Sequence, residues 1–490
     1  MKLAVHLYAG RHYGYFRDEL YYLACSHHLA WGYVDQPPLI AAIAWLVRTL
    51  LGQGLAAIRF LPALAGAAEV GLAALIAREL GARRFGQVLA ALCVLIAPGI
   101  LGTNNLFTMN AFEPLFWMGC AWILIRIIKT GNGRLWVWFG MIAGLGLENK
   151  HSMLMFGAGI VLGLLLTPQR RWLVNRWFWI GGAIAFLIFL PNLLWNIQHH
   201  FPFLELQANI RRNGRDTPLG PLAFFGQEIA TMNPLTLPVW LAGLWFFFGT
   251  RTGKPFRALG WAWVVTVLVI ATLSPRVYYL YPAFPLLFGA GAVMWDRWLE
   301  VRAGWLKLAW PAVMIATGAL FAPMAIPVLP PETYLHYTQA LHLRQPAIET
   351  HKLGLLPQIF ADQFGWPEMA ADVARVYNGL PAEVRSKTAI FGQNYGEAGA
   401  IDFFGPQYGL PPAISGHQSY FLWGPRQYTG ESMIVMADRQ DVLERLFASV
   451  QKMARVEHPY SMPYEHFDVF YCRGLKQPLR DLWPRLKNWD

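Results

Sequence analysis

The chain has 490 residues, of which 55% are hydrophobic and only 14% charged, and 40 Lys and Arg against 29 Asp and Glu give it a net charge of +11. A water-soluble domain carries about a quarter charged residues, so this composition excludes an ordinary soluble globular protein and points to a membrane protein. The positive balance does not call for nucleic acid, because the cations are dispersed over short loops and helix ends, where orientation in a bilayer accounts for them.

Met1 to Gly14 is anomalous: as a helix it spans about 20 Å, against a hydrocarbon core of about 30 Å, and it contains His6, Arg11 and His12. It lacks the apolar core and small-residue cleavage site of a signal peptide, and it reads as a shortened or misassigned first span. Apolar runs then predict spans near residues 56–77, 86–102, 112–128, 135–148, 152–167, 177–196, 236–250, 258–274, 277–295 and 306–327. Beyond about residue 328 the long apolar runs stop, and some 160 residues are enough for an independent soluble domain. There Pro367 to Tyr377 and Val442 to Met453 have helical spacing, while Thr388 to Phe391, Met433 to Met436 and Phe467 to Cys472 read as strands of a small α/β layer. Cys25, Cys93, Cys120 and Cys472 are too widely spaced for a disulfide framework or a metal knuckle.

Charge sorts between the spans. Arg78, Arg83 and Arg84; Arg126, Lys129 and Arg134; Arg170, Arg171 and Arg176; Arg251, Lys254 and Arg257; and Arg297, Arg302 and Lys307 fall on alternate loops, which the positive-inside rule assigns to the cytoplasm. The other side receives Arg17-Asp18-Glu19, Asp35-Gln36, Asn104 to Glu113, Glu148-Asn149-Lys150-His151, residues 197–235 and Ser274-Pro275-Arg276. All the candidate chemistry is therefore expected outside the cytoplasm. Arg211, Arg212 and Arg215 break the pattern, but long outer loops escape the rule, and a solvated loop is their simplest reading.

Two adjacent carboxylates at a membrane boundary are costly unless solvated, paired or used. Asp18 and Glu19 diverge by about 100° on a helix, so one does chemistry while its neighbour binds or caps; the structural alternative is that Asp18 caps a helix beginning at Glu19. Glu113, before Pro114, fits either a first-turn carboxylate favoured by the helix dipole or an active-site group. Lys150, beside His151, either pairs with Glu148 or binds a phosphate at the membrane surface. Arg276 is the corresponding cation on a later loop, and Tyr278 and Tyr279 are interface aromatics or substrate contacts. His27-His28 and His199-His200 lack the spacing and third ligand of a zinc site, so no metal is expected.

The segment from Tyr15 to Pro38, with Asp18-Glu19 as its most specific element, resembles the first outer loop of glycosyltransferase family 39. That group includes protein O-mannosyltransferases and the aminoarabinose transferases of lipid A, and belongs to the GT-C superfamily. Asn394-Tyr395-Gly396-Glu397-Ala398-Gly399-Ala400 and Ser415-Gly416-His417 to Phe421-Leu422-Trp423-Gly424-Pro425 resemble, more loosely, the soluble domain of bacterial members without an assigned activity. The resemblance implies a polytopic α-helical, GT-C-like membrane protein, with a transmembrane domain over residues 1–327 and an extracytoplasmic α/β domain over 328–490. It implies a polyprenyl-phosphate-linked sugar as donor, no cofactor, and an envelope lipid, glycan or protein as acceptor, at the inner membrane. Asp18 matches the family's base, with Glu19 orienting the acceptor and Glu113 contributing to the site. Lys150, His151 and Arg276 would bind the donor phosphate; Asp35, Gln36, Asn104, Tyr278 and Tyr279 would contact substrate. A transporter or flippase is the alternative, but it predicts ionisable groups inside spans and an internal repeat, whereas Glu69 is the only acidic residue well inside a span.

Overall fold

The computed structural model describes residues 1–215, 219–273, 276–343 and 351–490; Ser274 and Pro275, expected in an outer loop, and part of the 197–235 segment lie outside them. Two compact units emerge, one made of Met1–His12, Ala56–Trp195 and Pro218–Val328, the other of Tyr13–Leu55, Asn196–Thr217 and Leu329–Asp490. The expected boundary at 327/328 differs from this division, in which the second unit also takes in Tyr13–Leu55 and Asn196–Thr217.

Among the described residues of the first unit, six helices are long and apolar enough to cross a membrane: Leu55–Glu79, Met109–Thr130, Arg176–Gln198, Lys254–Thr272, Val277–Arg302 and Leu306–Met324. Three bent pairs raise the number to nine if each is one span. The span expected over 86–102 is one of them: Arg84–Ile96 and Pro98–Asn105 meet at 62°, because Pro98 has no N–H to continue the first helix and starts a second. Met153–Leu165 turns by 112° into Pro168–Val174, and Pro221–Thr231 by 95° into Pro234–Gly249, each again at a proline. The run over 135–148 forms a helix, Leu135–Asn149, of 15 residues. The helices pack through glycine: a Cβ on Gly291 would lie 1.7 Å from the Val239 carbonyl oxygen, and one on Gly163 would lie 2.1 Å from that of Ala258. Such backbone proximity suits association in lipid, where close packing rather than water expulsion drives contact.

Basic loops expected on one side of the membrane meet at one end of this unit. Lys129 Nζ lies 2.6 Å and Arg126 Nη1 3.4 Å from the Glu79 carboxylate, and the Arg83 N–H donates to Asp296 Oδ2 at 2.6 Å. Arg297 Nη1 donates to Thr252 Oγ1 at 3.4 Å, and Lys307 lies over the Phe85 ring.

In the second unit, β1 (Thr388–Phe391), β2 (Ser432–Ala437), β3 (Phe447–Val456) and β4 (Phe467–Leu475) form one sheet in the order β1-β2-β4-β3. β1 and β2 are parallel; the other pairs are antiparallel. The helix expected over Val442 to Met453 is a correction: Gln440–Leu446 is helical, but Phe447 onward is β3, paired along its length with β4. A register shift between Lys452 and Ala454 breaks the two-residue alternation that would have revealed a strand. Trp366–Asn378 is the predicted amphipathic helix, burying Met369, Val373 and Val376. Leu39–Leu50, absent from the sequence reading, is a 12-residue apolar helix too short to span a bilayer.

Candidate active site

The predicted site residues fall into two groups, each lying within one unit. In the second unit the helix Arg17–His27 begins two residues before Glu19, so the capping position passes from Asp18 to the residues around Glu19. Glu19 is the third residue of the helix and accepts the Phe16 N–H at 2.8 Å, closing the N-terminus in a capping box. Its residue is 0% exposed. Asp18 does not cap; its side chain is 28% exposed, and its Oδ1 accepts the Tyr395 hydroxyl at 2.7 Å. Arg17 Nε stands 3.8 Å from the same oxygen.

Arg17 is held from the other side by Asp362, at 3.7 Å, and donates to the Tyr464 hydroxyl at 3.0 Å. The neighbouring carboxylates and phenols raise its pKa well above the ordinary arginine value even though burial opposes them, so it stays cationic beside Asp18. A Cβ at Gly396 would meet Arg17 Cγ at 2.4 Å, and one at Gly399 would lie 3.1 Å from the Leu20 backbone, so both glycines let the Tyr395–Phe404 helix lie against the Arg17 helix. Asn394 caps the former, accepting the Gly396 and Glu397 N–H groups at 2.8 and 3.0 Å. Tyr395, Ser419, Asp362 and Tyr464 are neighbours of this helix that the sequence does not place there. The Asn394 and Ser415 motifs were its only signal, and nothing local tied them to Asp18.

Asp35 accepts the Tyr21 hydroxyl at 2.8 Å, and that hydroxyl also contacts Ser419 Oγ at 2.7 Å. Burial, reinforced by the charge of Asp18 and opposed by the Tyr21 hydrogen bond, pushes the Asp35 carboxyl up to about 7. Gln36 is buried against Cys25, its Nε2 lying 3.7 Å from the sulfur. Between the usual aspartate range and about 7 the folded carboxyl keeps a proton that the unfolded chain has lost, so its contribution to stability falls as pH rises. Asp35→Asn is expected to shrink the drop in melting temperature between pH 5 and pH 8 in detergent. The drop persists in part, because Asp402 and Glu465 are pushed up to about 6 and about 8 by burial. An undiminished drop would contradict a buried Asp35.

The first unit gathers the other group. The chain leaves the Leu135–Asn149 helix extended at Lys150, which turns the ammonium away from Glu148. Lys150 pairs instead with Glu113, at 2.9 Å, and donates to Asn110 Oδ1 at 2.7 Å, with Nζ 4.4 Å from the Tyr279 ring centroid and 5.3 Å from that of Tyr278. Ser152 donates to the other Glu113 oxygen, and Asn149 Nδ2 donates to the Met109 carbonyl at 2.9 Å, tying the loop to the helix end. Arg276 Nη1 donates to the Tyr278 hydroxyl at 3.4 Å. His151 Nε2 lies 3.3 Å from Asn192 Oδ1. Asn104 is fully buried and donates to Glu69 Oε1 at 3.1 Å, so it supports the loop instead of lining a surface. No group of three or more His, Cys, Asp or Glu able to hold a metal occurs among the described residues.

The family model for dolichyl-phosphate-mannose-protein mannosyltransferases matches residues 35–195, a segment that carries Asp35, Gln36, Asn104, Glu113, Lys150 and His151 and begins after Asp18. The lipid A galacturonosyltransferase RgtD of Rhizobium johnstonii is 26% identical over 312 residues, 61% of this chain. The alignment spans 62% of that relative's own length. ArnT from Cupriavidus metallidurans bound to undecaprenyl phosphate shares the fold with a TM-score of 0.58 at 14% identity, covering 96% of both chains. The chain therefore shares its fold with ArnT over nearly its whole length. A second structure, the Archaeoglobus fulgidus oligosaccharyltransferase tethered to an acceptor peptide, is similar at a TM-score of 0.51 and 13% identity, over 84% of this chain and 63% of that one. The apolar helices and the shared fold make this chain a multi-pass membrane protein.

Proposed function

We propose that the protein is an integral membrane glycosyltransferase that moves a sugar from a polyprenyl-phosphate carrier to an acceptor hydroxyl outside the cytoplasm. The observation that carries the reading is the state of Asp18: one carboxylate oxygen is held by Tyr395, while the side chain keeps 28% of its surface open. A base that must receive a proton from an acceptor needs that combination of fixed geometry and access. The names of the relatives, which speak of lipid A and of undecaprenyl phosphate, support a lipid-linked donor and an envelope acceptor.

In this reading Asp18 takes the acceptor hydroxyl proton as the acceptor oxygen bonds to the anomeric carbon. The bond from that carbon to the phosphate oxygen breaks, and polyprenyl phosphate leaves with the electron pair. One displacement inverts the anomeric centre and needs no covalent enzyme intermediate. Lys150 and Arg276 supply positive charge for the departing phosphate, and Glu113 holds Lys150 in place. Glu19 shapes the helix that carries the base and does not touch substrate. The grouping of the basic loops at one end of the helical unit supports an orientation with that end in the cytoplasm, and in this reading the protein lies in the inner membrane with its first loop and C-terminal segment extracytoplasmic.

The test is transfer from a panel of radiolabelled polyprenyl-phosphate sugars to total envelope material by membranes containing the protein. Labelled product with at least one donor, absent from membranes without the protein, is the expected result. ATP- or gradient-dependent movement of an unaltered lipid-linked substrate, with no glycosidic product, would instead establish the transporter.

A further inference from the structure

We propose that Tyr395 is a positioning residue for Asp18, so that the C-terminal segment supplies part of the catalytic centre. This rests on the reading of Asp18 as the base. An ionised carboxylate has no proton to give, so in the contact between Tyr395 and Asp18 Oδ1, at 2.7 Å, the phenol donates. Burial raises the Tyr395 pKa well above its ordinary value, which keeps that proton in place and leaves Asp18 as the acceptor of the pair.

The phenol is itself held on several sides. Its backbone N–H donates to His417 Nδ1 at 3.1 Å, which fixes that nitrogen as the acceptor and places the imidazole proton on Nε2, 3.3 Å from the Asp490 carbonyl oxygen. The neutral imidazole this requires agrees with burial, which pushes the His417 pKa down to about 3. The two rings stack at 4.9 Å with 19° between planes, the Tyr21 ring lies 4.8 Å away, and the Arg17 guanidinium is 5.4 Å from the Tyr395 centroid. A hydroxyl fixed in this way sets the rotation of the Asp18 carboxylate and directs Oδ2, which has no protein hydrogen bond among the described residues, toward an incoming hydroxyl. The tail motifs thus acquire a shared purpose: Asn394 starts the helix, Tyr395 holds the base, Gly396 clears Arg17, and His417 fixes Tyr395.

A double-mutant cycle on the full-length protein in detergent separates positioning from packing. Tyr395→Phe is expected to lower kcat by about 10- to 100-fold, the order of effect of a misplaced catalytic group, with KM for the donor within about twofold of the parent. In an Asp18→Asn background the same substitution is expected to change the residual rate by less than about twofold, because the group it positions is already gone. An equal fold-loss in both backgrounds would overturn the proposal and make Tyr395 a packing residue. Where the Phe chain does not fold, 4-fluorophenylalanine fills the same space without the donor and is read in the same way. Asp18→Asn alone distinguishes the underlying reading: a parent-like rate there would remove the base assignment itself, whatever Tyr395 does.

Discussion

Asp18→Asn is expected to lower glycosyl transfer by about 10²- to 10⁴-fold, the usual worth of a positioned general base, without unfolding the protein. Asn keeps the size of the side chain and an oxygen able to accept from Tyr395, but it cannot take up the acceptor's proton. The neighbouring acid provides the internal control. Glu19 is buried in a capping box, and Gln can make the same bond to the Phe16 N–H. Glu19→Gln is therefore expected to keep transfer within about tenfold of the parent, whereas Glu19→Ala, which leaves that N–H without its partner, costs about 0.5–2 kcal/mol of stability. The check is rate at matched folded protein together with melting temperature. If Glu19→Gln lost transfer as completely as Asp18→Asn, the separation of the two carboxylates into base and cap would be wrong.

The second large effect concerns Lys150. Its ammonium side chain is 11% exposed and that of Glu113 4%, so Lys150→Met leaves a buried carboxylate without its counter-charge. Removing one partner of a buried pair costs about 3–5 kcal/mol, far more than the pair itself contributes relative to apolar replacements. Lys150→Met is expected to be poorly folded and inactive. The double variant Lys150→Met/Glu113→Gln removes both charges and is expected to recover most of the melting temperature. It should remain at least about 10²-fold slower than the parent, because the cation near the departing phosphate is still missing. Recovery of transfer together with stability would show that Lys150 serves only to neutralise Glu113.

Physical range explains which parts of this account could be read from the chain. Spans and loop charges are local properties, and the basic loops that the alternation groups together do meet, through Glu79, Asp296 and Thr252. The broken helix at Ala97 and Pro98 was equally local, though hydropathy alone smoothed it into one span. Strand β3 is masked in the sequence because Val442, Leu446, Val450 and Met453 mimic a helical stripe, while its partner is β4 and its bulge hides the alternation. Proximity in sequence also misled for Lys150: Glu148 is two positions away, but the extended backbone at Lys150 leads the side chain to Glu113. For Asp18 and Glu19 the chain offered two acids and no means of ranking them. The ranking depends on a helix start at Phe16, which lacks a conventional capping side chain, and on Tyr395, 377 positions away.

The most direct test of the central claim is a reconstituted reaction with a radiolabelled polyprenyl-phosphate sugar and envelope acceptor, counting both products for the parent and for Asp18→Asn at matched folded protein. The account predicts one free polyprenyl phosphate for each glycosylated acceptor, inversion at the anomeric carbon, and loss of both products together in the variant. Transfer by Asp18→Asn at the parent rate, or product with retained configuration, would contradict a single displacement driven by this carboxylate.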